Sequence, residues 1–136
     1  MRTILNNIKF TVALALGTIT TLLGGWDMMM KVLVLFVVLD YASGLIAAFM
    51  EKGLNSKVGF NGICKKILLF IPIMVAYALD MVLNTGVLRS LAIWFYIANE
   101  GLSILENLGK AGIRVPKPLM DALEQLREKG DGEETT

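Results

Sequence analysis

Four long stretches of the chain carry few or no charges, and each is bounded by charged or turn-forming residues. From Phe10 to Trp26 no side chain is charged, and Asp27 closes the run in the sequence GGWD. Val32 to Met50 follows Lys31 and holds a single acid, Asp40. Ile67 to Leu88 contains Pro72, Asp80 and Asn84, and Arg89 ends it. Ser90 to Leu108 is the most polar, with Asn99, Glu100, Ser103, Glu106 and Asn107. About 17 to 25 helical residues cross a hydrocarbon core. The pattern therefore predicts an all-α integral membrane protein with four transmembrane helices, or three if the last stretch lies in the interface. A cleaved leader is the competing reading of the first stretch, and the apolar spans that follow weigh against it.

The segments between the stretches complete the prediction. Residues 51 to 66, EKGLNSKVGFNGICKK, hold four lysines, three glycines and two asparagines, a composition that predicts a loop. Beyond Gly112, Pro118 suits a first helical turn, and Leu119, Met120, Leu123 and Leu126 recur at helical spacing. That predicts a C-terminal amphipathic cytosolic helix stopped by Gly130, then a disordered acidic tail, DGEETT. The expected division is a membrane-embedded helical domain over residues 1–110 and a cytosolic segment over 111–136.

Basic residues set the orientation. With four spans and a cytoplasmic N-terminus, Arg2, Lys9, Lys52, Lys57, Lys65, Lys66, Lys110, Arg114, Lys117, Arg127 and Lys129 lie inside. Only Lys31 and Arg89 lie outside. Eleven against two is a positive-inside asymmetry, whereas three spans from the same start give six against seven. Lys52, Lys57, Lys65 and Lys66 are read as topology determinants in the predicted loop.

Composition agrees with a membrane protein: 55% of residues are hydrophobic, 18% are charged, and the mean hydropathy is +0.63. A net charge of +1 and the absence of any recognition motif speak against nucleic-acid binding. With no histidine and one cysteine, Cys64, the chain cannot supply a disulfide framework, a zinc cluster, a Ser-His-Asp triad or a Cys-His nucleophile. No catalytic residue, metal or cofactor is expected, and the chain reads as a non-enzyme.

The acids inside the apolar stretches carry the remaining information. Eleven of the nineteen residues from Val32 to Met50 are Val, Ile, Leu or Phe. They contribute about −3 to −7 kcal/mol to insertion, against roughly +2.5 to +3.5 kcal/mol for Asp40. The segment carries its aspartate with little margin, so Asp40 needs protein or water beside it. Asp40, Ser43, Gly44 and Ala48 line one side of the second helix, with Gly44 and Ala48 as a small-xxx-small pair. Asp80 and Asn84 share a face of the third. Asn99, Glu100, Ser103 and Glu106 form a polar stripe on the fourth, and the first offers Gly17, Thr18, Thr21 and Gly25. Three readings stay open: glue within one monomer, a self-association face that later lines an aqueous opening, or a small ion-coupled transporter or channel.

Two blocks narrow the choice. LDYASGLIAAFMEKGLNSKVGFNGICKK (39–66) and YIANEGLSILENLGKAGIRVPKPL (96–119), with Asp80 between them, resemble the phage lysis and toxin-secretion holin family over roughly residues 30–126. Asp40, Tyr41, Gly44, Lys52, Ser56, Gly59, Gly62, Lys65 and Lys66 occupy motif positions in the first block. Glu100, Ser103, Glu106, Asn107 and Pro116 occupy them in the last. The resemblance implies a protein of the bacterial cytoplasmic membrane that forms homo-oligomers in the lipid bilayer. It implies lesions that release an endolysin or a toxin, and it offers no catalytic residues to transfer.

Overall fold

The computed structural model describes residues 1–51, 53 and 55–132; Lys52 and the tail 133–136 lie outside the described residues. It is all-helical over that range. Helix α1 (Arg2–Leu22) ends in a tight turn through Gly24 and Gly25, whose φ angles of 87° and 107° suit glycine. Asp27 starts α2 (Met28–Glu51), its carboxylate accepting from the Met30 N–H at 3.0 Å. Asn55 caps α3 (Ser56–Leu68) by accepting from the Lys57 N–H at 3.0 Å.

Within the predicted loop over 51–66, Glu51 ends α2 and residues 56–66 are helical, and Lys57, Lys65 and Lys66 stand on that helix. Polar composition suggested a loop, but a helix packed against neighbouring protein accommodates glycine and lysine where tertiary contacts repay them. Gly59 and Gly62 lie under the ring of Tyr41, whose hydroxyl donates to the Gly59 carbonyl at 3.0 Å. α3 runs into α4 (Phe70–Leu83) with only Leu69 between them. Pro72 explains the interruption, because it has no N–H to offer the Leu68 carbonyl and its ring crowds that group. The interruption falls one turn before Pro72, and the helix carries on through it to Leu83.

α4 stops at Asn84, which takes the left-handed conformation with φ 55°, rather than continuing to Leu88. α5 (Val87–Lys110) and α6 (Lys117–Gly130) follow, α6 after Pro116 with Pro118 in its first turn. α2 and the continuous helix from Ser56 to Leu83 are long and apolar enough to cross a membrane. They measure about 36 and 42 Å at 1.5 Å per residue.

α5 is the centre of the bundle, packing on α2, α4 and α6. Met30, Leu33 and Val37 of α2 meet Ile93 and Ile97 of α5 and Ile73 of α4 in the apolar core. Further along the same α2 stripe come Asp40 and Ala47, and along α5 come Glu100 and Gly101. The apolar stretch of the helix interface is therefore followed, toward the C-terminal ends of α2 and α5, by a polar one. Leu35, Val38, Ile46, Phe49, Ile71, Val75 and Val82 face outward while Asp40, Asp80, Arg89 and Glu100 are buried. Apolar surface outside and charge inside is the arrangement a lipid solvent favours.

α6 does not stand apart but folds back along α5, with Leu123 over Gly101 and Gly130 against the Phe95 backbone. α1 by contrast touches only α4, and every residue from Arg2 to Ile19 is exposed.

A buried ion-pair cluster as the candidate functional site

Asp40 and Glu100 face each other across the α2–α5 interface, 5% and 7% exposed. Lys66 reaches between them from α3. Its ammonium contacts Asp40 Oδ2 and donates to Glu100 Oε2 at 2.5 Å. Asn107, about two turns further along α5, donates to Asp40 Oδ1 and Ser43 Oγ, each at 3.0 Å. Ser43 in turn donates to the Asp40 carbonyl at 3.1 Å. Asn107 lies over Gly44, where a Cβ would meet its Nδ2 at 3.4 Å, an ordinary contact within one chain. A cavity of about 470 Å³ runs from the α2–α3 turn to the cluster, past Ala48, Glu51, Asn55 and Ser103.

Two carboxylates share one cation, and the three charges tie together α2, α3 and α5. Charges removed from water need partners of this kind, and taking one away strands the others. Among the described residues no buried side-chain nitrogen or oxygen lacks a partner. The arrangement holds helices together; it presents no nucleophile and no leaving-group chemistry.

A second charged site sits at the opposite end of the bundle. The Arg89 guanidinium donates to the Leu23 carbonyl at 2.6 Å, to Asp27 Oδ2 at 2.7 Å and to the Gly25 carbonyl at 3.3 Å. Asp80 holds the backbone beneath it, accepting from the N–H groups of Leu88 and Arg89 at 3.0 and 2.8 Å and from the Thr85 hydroxyl at 2.7 Å. Asp80 thus caps the N-terminus of α5 from the preceding helix, where the macrodipole favours an anion. The bond to Arg89 holds the Asp27 carboxyl below the ordinary aspartate value, reinforced by the Met30 N–H and opposed by partial burial.

The sequence-predicted residues therefore divide. Asp40, Ser43, Gly44, Glu100 and Ser103 come together around Lys66. Ala48 is exposed and lines the cavity rather than a helix contact. Asn84 is exposed past the end of α4, so it shares no helix face with Asp80. Asn99 is half-buried, and exposed Glu106 pairs with Lys110 at 3.6 Å. Lys57 and Lys65 are exposed. Lys66, read as a topology determinant, is the counter-ion of the cluster, and Arg89, read as a span terminator, is a clamp. Charge balance could have found both, since buried acids require cations and few basic residues border the spans.

The bacteriophage holin family matches residues 17–128, which contain both charged sites. The chain belongs to the bacteriophage holin family. Holins are membrane proteins without enzymatic activity. Relatives of this holin include an uncharacterised 14.9 kDa protein in the nagH 3' region of Clostridium perfringens, 42% identical over 95% of this chain and 99% of the relative. A Listeria monocytogenes protein, also uncharacterised, is 45% identical over 75% of this chain and 74% of its own. A protein of Bacillus phage phi105 named a probable holin is 38% identical over 69% of this chain and 70% of its own. No solved structure matches. In this holin the two motif blocks, separated by residues 67–95, meet at the Lys66 cluster.

Proposed function

We propose that the chain oligomerises in the bacterial cytoplasmic membrane and forms lesions that release a cell-wall hydrolase, or a toxin, for host lysis. The observation that carries this reading is the three-way ion pair of Asp40, Lys66 and Glu100 inside a bundle whose outside is apolar. A polar face stored between helices can later line water. The name of the phage phi105 relative supports the same reading. Expression with and without a cell-wall hydrolase tests it. Abrupt loss of viability and escape of the hydrolase are expected; selective ion flux without escape would favour a transporter or channel.

The proposed topology has four spans, α1, α2, α3–α4 and α5, with both termini cytoplasmic, as the basic residues suggest. One consequence concerns α6. Against α5 it carries Arg127, Glu128 and Lys129 toward the level of Phe95, so α5 crosses lipid only when α6 leaves it for the cytoplasmic surface. A disulfide between Gly101→Cys and Leu123→Cys, in a Cys64→Ser background, is expected to block lesion formation while membrane accumulation stays normal. Reduction should restore release; full release from the oxidised protein would refute the need for α6 to move.

A further inference from the structure

We infer that α1 of one copy seats in the apolar groove between α2 and α3–α4 of the next, joining copies head to tail. This contact rests on the self-association proposed above and names its two surfaces. The groove has a volume of about 530 Å³ and is lined by Val38, Ala42, Leu45, Ile63, Ile67 and Ile71, among others. Ala42 at its floor lets another helix backbone come close. The donor is the stripe Leu5, Ile8, Val12, Ala15 and Ile19, spaced three and four residues apart as in helices that pack along their length. The hydroxyls of Thr11, Thr18, Thr20 and Thr21 bond to carbonyls four residues earlier, so α1 carries no unmet hydroxyl into a contact.

Within one chain the donor and the groove meet only at Ile19, after which α1 leaves the bundle. Its exit is held by Arg89, bonded to the carbonyls of Leu23 and Gly25 and to Asp27. Gly24 leaves no slack there, because a Cβ on it would lie 2.5 Å from Arg89 Nε. Folding α1 onto its own groove would break that clamp, while seating it on a neighbour leaves the clamp intact. Lipid also solvates apolar surface, so apolarity alone does not select a protein occupant. Charge does. With helix ends matched antiparallel, Arg2 lies about 30 Å and Glu51 about 34 Å from the clamped end, at 1.5 Å per residue. The two come level, and neither has an ion-pair partner among the described residues. One donor and one acceptor per chain make a heterologous contact, which grows into rings or open arrays rather than stopping at a dimer.

Cross-linking tests this in native membranes. Two full-length chains with different tags, both Cys64→Ser, are co-expressed, one carrying Val12→Cys and the other Val38→Cys, positions that come level in the antiparallel seating. A disulfide joining the two tags is expected, and a chain carrying both cysteines should give a ladder of multimers. Ala42→Trp, which fills the groove but leaves α1 unchanged, should remove the ladder alone and shorten it when mixed with the ladder-forming chain. Its helix content and melting should match the parent. A bond formed only within one chain would overturn the inference in favour of self-closure. Absence of any bond, with unchanged folding, would overturn it in favour of lipid in the groove. A ladder without hydrolase release would sink the lesion reading and keep the contact; release without a ladder would do the reverse.

Discussion

Replacing Lys66 with methionine is expected to lower the unfolding free energy of the purified holin in detergent by about 3–5 kcal/mol. The substitution keeps the apolar stem and removes the one cation that serves both Asp40 and Glu100. Those carboxylates remain buried, and Asn107 satisfies only part of one of them. The cost is that of stranded charge, not of a lost surface bridge, which is worth at most about 1 kcal/mol. The combined variant Asp40→Asn, Glu100→Gln, Lys66→Met leaves no charge behind and should recover most of the loss, since neutral replacement of a buried ion group is often tolerated. Denaturant titrations followed by circular dichroism measure both. A loss below about 1 kcal/mol for the single variant would mean that Lys66 is solvated like an ordinary surface lysine.

Arg89→Leu should come next in size, at about 3–6 kcal/mol, from two short charged hydrogen bonds worth about 1.5–3 kcal/mol each. It unfastens the α1–α2 turn, leaving the Leu23 carbonyl and Asp27 without their main donor. Arg89→Lys should recover only a part, because an ammonium cannot fork to a carbonyl and a carboxylate in the guanidinium's geometry. The same site sets a pH response. Asp27 has a lowered folded-state value, so its stabilising contribution is complete above the ordinary aspartate value of 3.8 and is lost as pH falls through the lower folded one. The turn should therefore stay fastened at neutral pH and loosen only in strong acid, an effect that Asp27→Asn should abolish. Protease accessibility near Trp26 reads the loosening directly.

The two variants separate the jobs of the two charged sites. Lys66→Met acts on the α2–α3–α5 junction, where the proposed polar lining is stored. Arg89→Leu acts on the exit direction of α1, so in the head-to-tail arrangement it should disperse the Val12–Val38 ladder while leaving the Lys66 cluster in place.

Much of the fold was legible in local pattern. The uncharged runs marked helices, and Pro118 with the leucine spacing marked α6. Asp40, Ser43, Gly44, Glu100 and Ser103 were legible as a site because buried acids beside small residues demand protein contact. Residues 56–66 were misread, because glycine and lysine disfavour an isolated helix and the compensation comes from Tyr41 on another element. Asp80 and Asn84 were paired by periodicity that the left-handed turn at Asn84 interrupts.

By itself the sequence determined the number and order of the apolar segments, the membrane class and the residues whose burial needs explaining, because length, hydropathy and charge placement are local properties. Only the tertiary structure decided which cation answers which acid. Lys66 meets Asp40 and Glu100 across 26 and 34 residues, and Arg89 meets Leu23 across 66, separations at which sequence spacing says nothing about distance. Those pairings depend on how helices rotate and slide against one another. That is fixed by the summed packing of apolar side chains along α2, α4 and α5, and not by any pair of charges alone.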